Sequence, residues 1–287
     1  MAYKDMLGDR MKNNYENISK TKLMRRTPVA IRIDGRAHHT FTRGFKKPFD
    51  DIYMKSMQET MKYLCENIQG AIIGYTQSDE ITIILQDYKK LETAAWFDYE
   101  VQKVCSISAS MATMAFNKSF TNIAIPYCYE NEDIDELSNY CDKLLNAVDK
   151  GAQFDSRCFN IPKEEVTNLI FWRQQDAARN SVQMVGRAYY SHKELHNKNN
   201  SQIQDMLMNK GINWNDFPTH QKRGSCCIKD ENGRWFIDTE IPMFKGEGRE
   251  YIEKILRNVE TCEEEPVKKL SVQDMKDLLN NRPIIRF

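Results

Sequence analysis

The stretch Pro28–Phe49, PVAIRIDGRAHHTFTRGFKKPF, constrains the fold of this chain more than any other. Val29, Ile31 and Ile33 alternate with Ala30 and Arg32, the two-residue period of a half-buried β-strand. The strand runs into Asp34-Gly35, so a carboxylate emerges at its tip, where the backbone must turn. Arg36, Arg43, Lys46 and Lys47 follow, with His38 and His39 between them. Carboxylate oxygens hold Mg²⁺ and cations hold phosphates, so a carboxylate facing a basic rim matches a metal–nucleotide site. Taken alone, an Asp-Gly after a strand is an ordinary turn. The rest of the chain has to decide between the two.

Asp50–Ile68 carries Met57, Met61, Leu64, Cys65 and Ile68 at three- and four-residue spacing, which predicts an amphipathic helix laid on a sheet and stopped by Gly70. Two strands follow, Ala71–Thr76 and Ile81–Leu85, joined by a tight turn containing Ser78, Asp79 and Glu80. Residues 92–117 read as a second long helix, with Ser106, Ser108, Ala109 and Ser110 small enough for close approach to the sheet. Asp133–Lys150 reads as a third, its acidic start suiting the helix dipole. Phe154–Ile161 is a short strand ended by Pro162, and Lys163–Ser191 one long, largely polar helix. The order β-α-β-β-α-β predicts an α+β fold, a ferredoxin-like antiparallel sheet of the polymerase-palm kind with helices on one face. Short helices are expected at His192–Lys198 and Ser201–Lys210, then a hairpin of Ser225–Lys229 and Arg234–Asp238 around Asn232-Gly233. Gly248–Asn258 and Ser271–Asn281 complete the series as surface helices. Residues 1–160 are thus expected to form a palm-like catalytic core, and 161–287 a helical and hairpin extension.

Lys and Arg number 41, as do Asp and Glu, so no global field drives binding to nucleic acid. Basicity is local: between Lys20 and Lys47 the cations 20, 22, 25, 26, 32, 36, 43, 46 and 47 stand against Asp34 alone. No segment has the apolar core of a signal peptide or the length of a membrane span, so no membrane partner is expected. The 8 cysteines include no CxxC pair, and Cys226-Cys227 are adjacent, which fits a reducing, cytoplasmic setting.

Two acids at a hairpin turn are ordinarily solvated. In a ferredoxin-like sheet, however, the first strand and the next hairpin are central neighbours. Asp34 and Asp79 then meet at one edge with Glu80 beside them. Clustered carboxylates repel unless cations neutralise them, and a pair of divalent metals serves phosphoryl or nucleotidyl transfer. Palm polymerases and nucleotide cyclases share that arrangement.

RIDGRAHHTFTRGFKKPFD, GYTQSDEITIIL and FDSRCFNIP…WRQQDA together resemble the tRNA-histidine guanylyltransferase family of 3′-to-5′ nucleotide-adding enzymes, over about residues 28–190. The resemblance implies that Asp34, the carbonyl of Gly35, and Asp79 hold two Mg²⁺, with Glu80 a further functional acid. It places His39, Lys47, Asp50 and Ser78 at nucleotide- and triphosphate-contacting positions, and Lys103 as a possible phosphate contact. It also implies tRNA, ATP, GTP and other NTPs as partners, and a homo-oligomer, often a tetramer. Eukaryotic guanylyltransferases follow WRQxD with a His-Ile-Asn-Asn-Leu-Tyr-Asn segment, whereas Asp176 is followed here by Ala177 and then Ala178–Met184. Of that segment only Asn180 persists. This resembles the relatives that repair truncated tRNA 5′ ends against the opposite strand, rather than those adding a single G to tRNA-histidine.

Other readings stay open at this stage. A nucleotide cyclase could use the same acids without RNA, and a silent RNA-binding module could keep the fold. Arg173, Asp176, Arg179 and Asn180 share one helix face that is by default solvated and salt-bridged. Trp172, Trp214 and Trp235 are expected to be packing residues, and Lys222-Arg223 either an RNA contact or a soluble loop.

Overall fold

Strand alternation assigns the two faces of the sheet. The computed structural model describes residues 5–90, 92–131 and 134–258. Its helices are α1 (Met6–Met11), α2 (His38–Phe41), α3 (Asp51–Asn67), α4 (Val101–Glu130), α5 (Asp135–Lys150), α6 (Lys163–Tyr189), α7 (His192–Leu195), α8 (Asn200–Met208), α9 (Thr219–Arg223) and α10 (Glu250–Asn258). Strands β1 (Val29–Gly35), β2 (Ala71–Gln77), β3 (Glu80–Leu85), β4 (Phe154–Asn160), β5 (Ser225–Lys229) and β6 (Trp235–Asp238) form one antiparallel sheet in the order β4-β1-β3-β2-β5-β6. The first four strands are ferredoxin-like, as expected. The hairpin β5–β6 continues the same sheet, because Gly74, Tyr75 and Thr76 of β2 pair with Cys227, Cys226 and Ser225.

On one face Val29, Ile31 and Ile33 join Ile81, Ile83 and Leu85 beneath Met57, Met61 and Leu64 of α3 and Phe116 and Phe120 of α4. On the other, Ala30, Ile73, Tyr75, Ile84 and Cys226 pack under Val166, Leu169 and Ile170 of α6 and Ile252 and Leu256 of α10. Helices therefore cover both faces: α3 and α4 the expected one, α6 and α10 the other. The C-terminal half of α6 leaves the sheet and packs through Val182 and Val185 on Ile203 and Leu207 of α8.

The helix expected at 92–117 is displaced. Phe97, Asp98 and Tyr99 take left-handed φ of 49°, 51° and 53°, which breaks the chain into a separate turn, Trp96–Tyr99. Continuous helix begins at Val101 and runs past residue 117, because Ala124 and Cys128 prolong the buried four-residue spacing of Phe116 and Phe120. Among the small residues proposed for close approach, Ser108 is the one buried, its hydroxyl 2.7 Å from that of Ser156 on β4, while Ser106 and Ser110 face outward. The helix expected from Gly248 starts at Glu250, after a 3₁₀ turn over Gly246–Arg249. Ser271–Asn281 lies outside the described residues. No helix among the described residues is long and apolar enough to cross a membrane.

Gly74 shows how closely α3 sits on β2. A Cβ there would lie 2.6 Å from Cys65 Sγ and 2.9 Å from Met61 Cγ, both in the core. Gly74→Ala is expected to destabilise the protein by about 1–3 kcal/mol through overpacking. A urea titration reads this as a lower midpoint at unchanged slope. An unmoved midpoint would contradict that packing.

Candidate functional site

Asp34 is the sixth residue of a strand whose alternate positions are core, so its side chain leaves the sheet on the α6 face. In register it stands opposite Glu80 on β3 and Asp155 on β4. The two-residue link Ser78-Asp79 between β2 and β3 brings the second acid to the same tip, where Gly35 N–H donates to the carbonyl of Asp79 at 3.0 Å. Burial raises the pKa of Asp34, and repulsion from Asp79 and Asp155 raises it further, against the opposing pull of Arg157 and Arg32. Arg157 stands 4.0 Å from Asp34 and 2.9 Å from Asp155. The predicted meeting of Asp34 and Asp79 is thus present in the fold.

Gly35 is glycine because of what lies under it. A Cβ would fall 2.5 Å from the ring of His38, which is 3% exposed among Phe41, Phe116 and Phe154. His38 Nδ1 shares a 2.7 Å hydrogen bond with the buried Tyr53 hydroxyl, and its Nε2 has no protein partner. Burial lowers the pKa of His38 and raises that of Tyr53, and the charge of Asp79 acts on both. The sequence reading favoured His39, whose exposed ring reaches only the Thr40 hydroxyl, at 3.1 Å. The spacing His38, Phe41, Phe45, one face of a helical turn, was the signal for the buried histidine.

Glu80 stands apart from the other two acids in its pairing. It is buried, and its carboxylate accepts from Arg173 Nε at 2.7 Å, while the same guanidinium donates to Asp176 at 2.9 Å. Burial raises the pKa of Glu80 and Arg173 opposes it. Asp176 also takes Arg179 at 3.2 Å, so the face read as solvated and salt-bridged is paired at one end to the sheet.

A cleft with about 90 Å³ of solvent-accessible volume opens beside this tip. Asp50, Ser78 and Asn180 line it, with Phe49, Met54, Met57 and Met184 as apolar walls and Gln58, His220 and Gln221 as polar lining. Ser78 is held at φ 51°, the left-handed conformation that a two-residue hairpin link requires and that side chains other than glycine adopt at a cost. Asp50 already accepts three hydrogen bonds, from Tyr53 N (2.9 Å), Lys46 N (3.0 Å) and the Tyr140 hydroxyl (2.6 Å), as the N-cap of α3. Lys47 is exposed, whereas Lys46 is turned away over Tyr127 and Tyr140, 4.9 and 4.7 Å from their ring centres.

Lys103 is not brought to this site. It sits near the start of α4, 5.9 Å from the Phe97 ring, whereas Thr113, roughly 15 Å further along the helix axis, bonds Phe154 beside the tip. The basic run from Lys20 to Lys47 also divides. Lys22 pairs with Asp98 and Arg25 with Asp87 and Asp98, at the end of the sheet away from Asp34. Trp214 donates to Ser181 and packs in the α6–α8 cluster, and Trp235 packs on the core. Trp172 departs from its expected packing role, with 47% of its surface exposed.

The donor set suits a hard cation. Two carboxylates and a main-chain carbonyl at one tip are oxygen ligands, and Asp34 carries repulsion that a cation would relieve. No group of three or more His, Cys, Asp or Glu among the described residues forms a closed metal cage. A two-acid site completed by substrate phosphates needs none.

The family model described as Thg1: tRNAHis guanylyltransferase matches residues 8–162, over half of the 287-residue chain. The uncharacterized protein R259 of Acanthamoeba polyphaga mimivirus is 32% identical over 231 residues, covering 76% of this chain and 75% of that protein. A bacterial tRNA(His) guanylyltransferase (Thg1)-like protein solved in complex with ATP is 44% identical, with a TM-score of 0.74 over 87% of this chain and 98% of that one. A bacterial protein of the same description, solved in complex with GTP, is 41% identical, with a TM-score of 0.69 over 88% and 99%. This chain belongs to the Thg1, or tRNA(His) guanylyltransferase, family of nucleotidyltransferases.

Proposed function

We propose that this enzyme adds nucleotides to the 5′ end of tRNA in the 3′-to-5′ direction, each chosen by pairing with the opposite strand. The observation that carries this reading is the repelling pair Asp34 and Asp79 beside an apolar-walled cleft. Ser78 lies on the cleft wall and Asp79 follows it directly, so a nucleotide with its base between Met54, Met57 and Met184 points its phosphates at the acids. Relatives solved in complex with ATP and with GTP support a nucleotide ligand for this chain.

The 3′-hydroxyl of the incoming NTP attacks an activated 5′ phosphate of the RNA, and pyrophosphate or AMP leaves. Asp34, Asp79 and the Gly35 carbonyl would hold two Mg²⁺, which when bound supply charge neutralisation and Lewis acidity at the phosphates. Ser78 and Asn180 contact the nucleotide from opposite sides of the cleft, Lys47 and His39 meet its triphosphate from the rim, and Asp50 fixes the start of α3 between them. Glu80 is a positioning residue: it fixes Arg173, and with it α6 and Asn180, against the acid tip.

Asp34→Asn and Asp79→Asn should each abolish nucleotide addition. Because the pKa of Asp34 is raised in the fold, its ionisation opposes folding as pH rises through that value, and the protein is relatively favoured at acid pH. Asp34→Asn should therefore melt no lower than wild type at neutral pH in EDTA, and any gain should vanish below the ordinary aspartate pKa. A large drop in melting temperature would make Asp34 structural.

Glu80→Ala should behave in the opposite way. It leaves the buried Arg173 with Asp176 as its remaining partner, so the loss should fall below the ~3–5 kcal/mol of a buried charge left with none. Denaturant melts that match wild type would remove the positioning role.

Base choice is tested with a tRNA lacking its first 5′ nucleotide, made with each of the four bases opposite the gap. Acids that orient phosphates and metals do not name a base, and residues 178–184 lack most of the side chains associated with single-G addition, so discrimination is expected from pairing with the template. Incorporation should switch with the template base and stop when the stem is full. Addition of G in all four cases would return this chain to single-G addition.

A further inference from the structure

The sheet carries a second open surface beside Asp34, on the side away from the cleft. Arg32 on β1 and Arg157 on β4 are register partners, so their side chains stand together on the α6 face. Trp172 of α6 borders them, its ring centre 5.8 Å from the Arg32 guanidinium and 4.5 Å from that of Arg173. The residue before it, Phe171, packs into the core, and the residue after it, Arg173, is buried. Among the described residues Trp172 lies between them with about half of its surface in solvent, a large aromatic ring with the Arg32 and Arg173 guanidinium groups beside it. Arg157 is half exposed, held loosely by Asp155 and Asp34.

We propose that Trp172 is a stacking platform for an unpaired base of the RNA acceptor end, with Arg32 and Arg157 meeting phosphates of the same strand. An exposed aromatic face flanked by arginines is how proteins hold single-stranded nucleic acid without reading its sequence. The cleft already provides for the incoming nucleotide, and Asn180, which lines it, lies eight residues beyond Trp172, roughly 12 Å along α6. The acids stand between the two surfaces, as a transfer between a nucleotide and a polymer requires. The platform is open where the cleft is walled, so a strand can continue past it. This inference rests on the reading above that the acceptor is an RNA end. A tRNA missing 5′ nucleotides presents such unpaired bases on the strand opposite its end.

The test is equilibrium binding in EDTA, without turnover, of RNA hairpins that differ only in a blunt end or a 3′ overhang. Trp172→Leu should weaken the overhanging RNA roughly 5- to 150-fold, the range of one lost base–aromatic stack. Trp172→Phe should retain most of the affinity, and blunt RNA should bind all three proteins alike. Equal affinity of wild type and Trp172→Leu for the overhang would overturn the proposal. So would an equal loss on both RNAs, which marks a packing role, or a raised KM for NTP with RNA binding intact, which gives the ring to the free nucleotide. A protein that binds the overhang through Trp172 yet adds no nucleotide to any RNA would overturn the proposed function and leave this inference standing.

Discussion

Carboxylates placed side by side in a partly buried site repel one another, and a fold can keep them there only if everything beneath is fixed. Here the pairing of β1 with β3 puts Asp34 opposite Glu80, and the short β2–β3 link puts Asp79 at the same tip. Below them Gly35 lies directly on His38, His38 is bonded to Tyr53, and Tyr53 is locked among Phe45 and Phe116. Ala37 and Ser78, one in each loop at the tip, both take left-handed φ. Conformations of that kind cost free energy and persist where the surroundings over-determine them. The apolar sheet supplies that determination, and the unrelieved charge is what a divalent cation and a triphosphate would use.

The second half of the chain completes the site instead of standing beside it. The pair Glu80–Arg173 joins β3 to α6, and α6 then carries Asn180, Ser181 and Met184 into the cleft. The hairpin β5–β6 extends the sheet and brings Gly224 and Ser225 to the cleft's far wall. Because α3, the β2–β3 turn, α6 and residues 220–225 build the cleft jointly, a nucleotide bound there would need α6 and the start of β5 as well as the first four strands.

Much of this was legible in the sequence because period-2 and 3.6 patterns are strong where a sheet is covered. The six strands, α3, α6 and the meeting of Asp34 with Asp79 followed from alternation and order alone. What was hidden depended on tertiary facts. Three left-handed residues after Trp96 moved the start of α4, which no periodicity announces. Which of His38 and His39 is buried was decided by aromatic neighbours from distant elements. Whether Glu80 faces the acid tip or a guanidinium depended on α6 covering the second sheet face, whereas the order of elements put the helices on one face. Trp172 looked like a core residue because tryptophan usually is, and only the packing of its two neighbours shows it left outside.

The proposed activity requires Asp34 and Asp79 to act together as a divalent-cation site completed by a nucleotide. Binding of Mn²⁺, a spectroscopically visible substitute for Mg²⁺, tests this most directly, measured by electron paramagnetic resonance with and without a non-hydrolysable NTP. About two tightly bound ions per chain are predicted with nucleotide present, with tight binding lost in folded Asp34→Asn and Asp79→Asn proteins. Undiminished Mn²⁺ binding in both variants would contradict it.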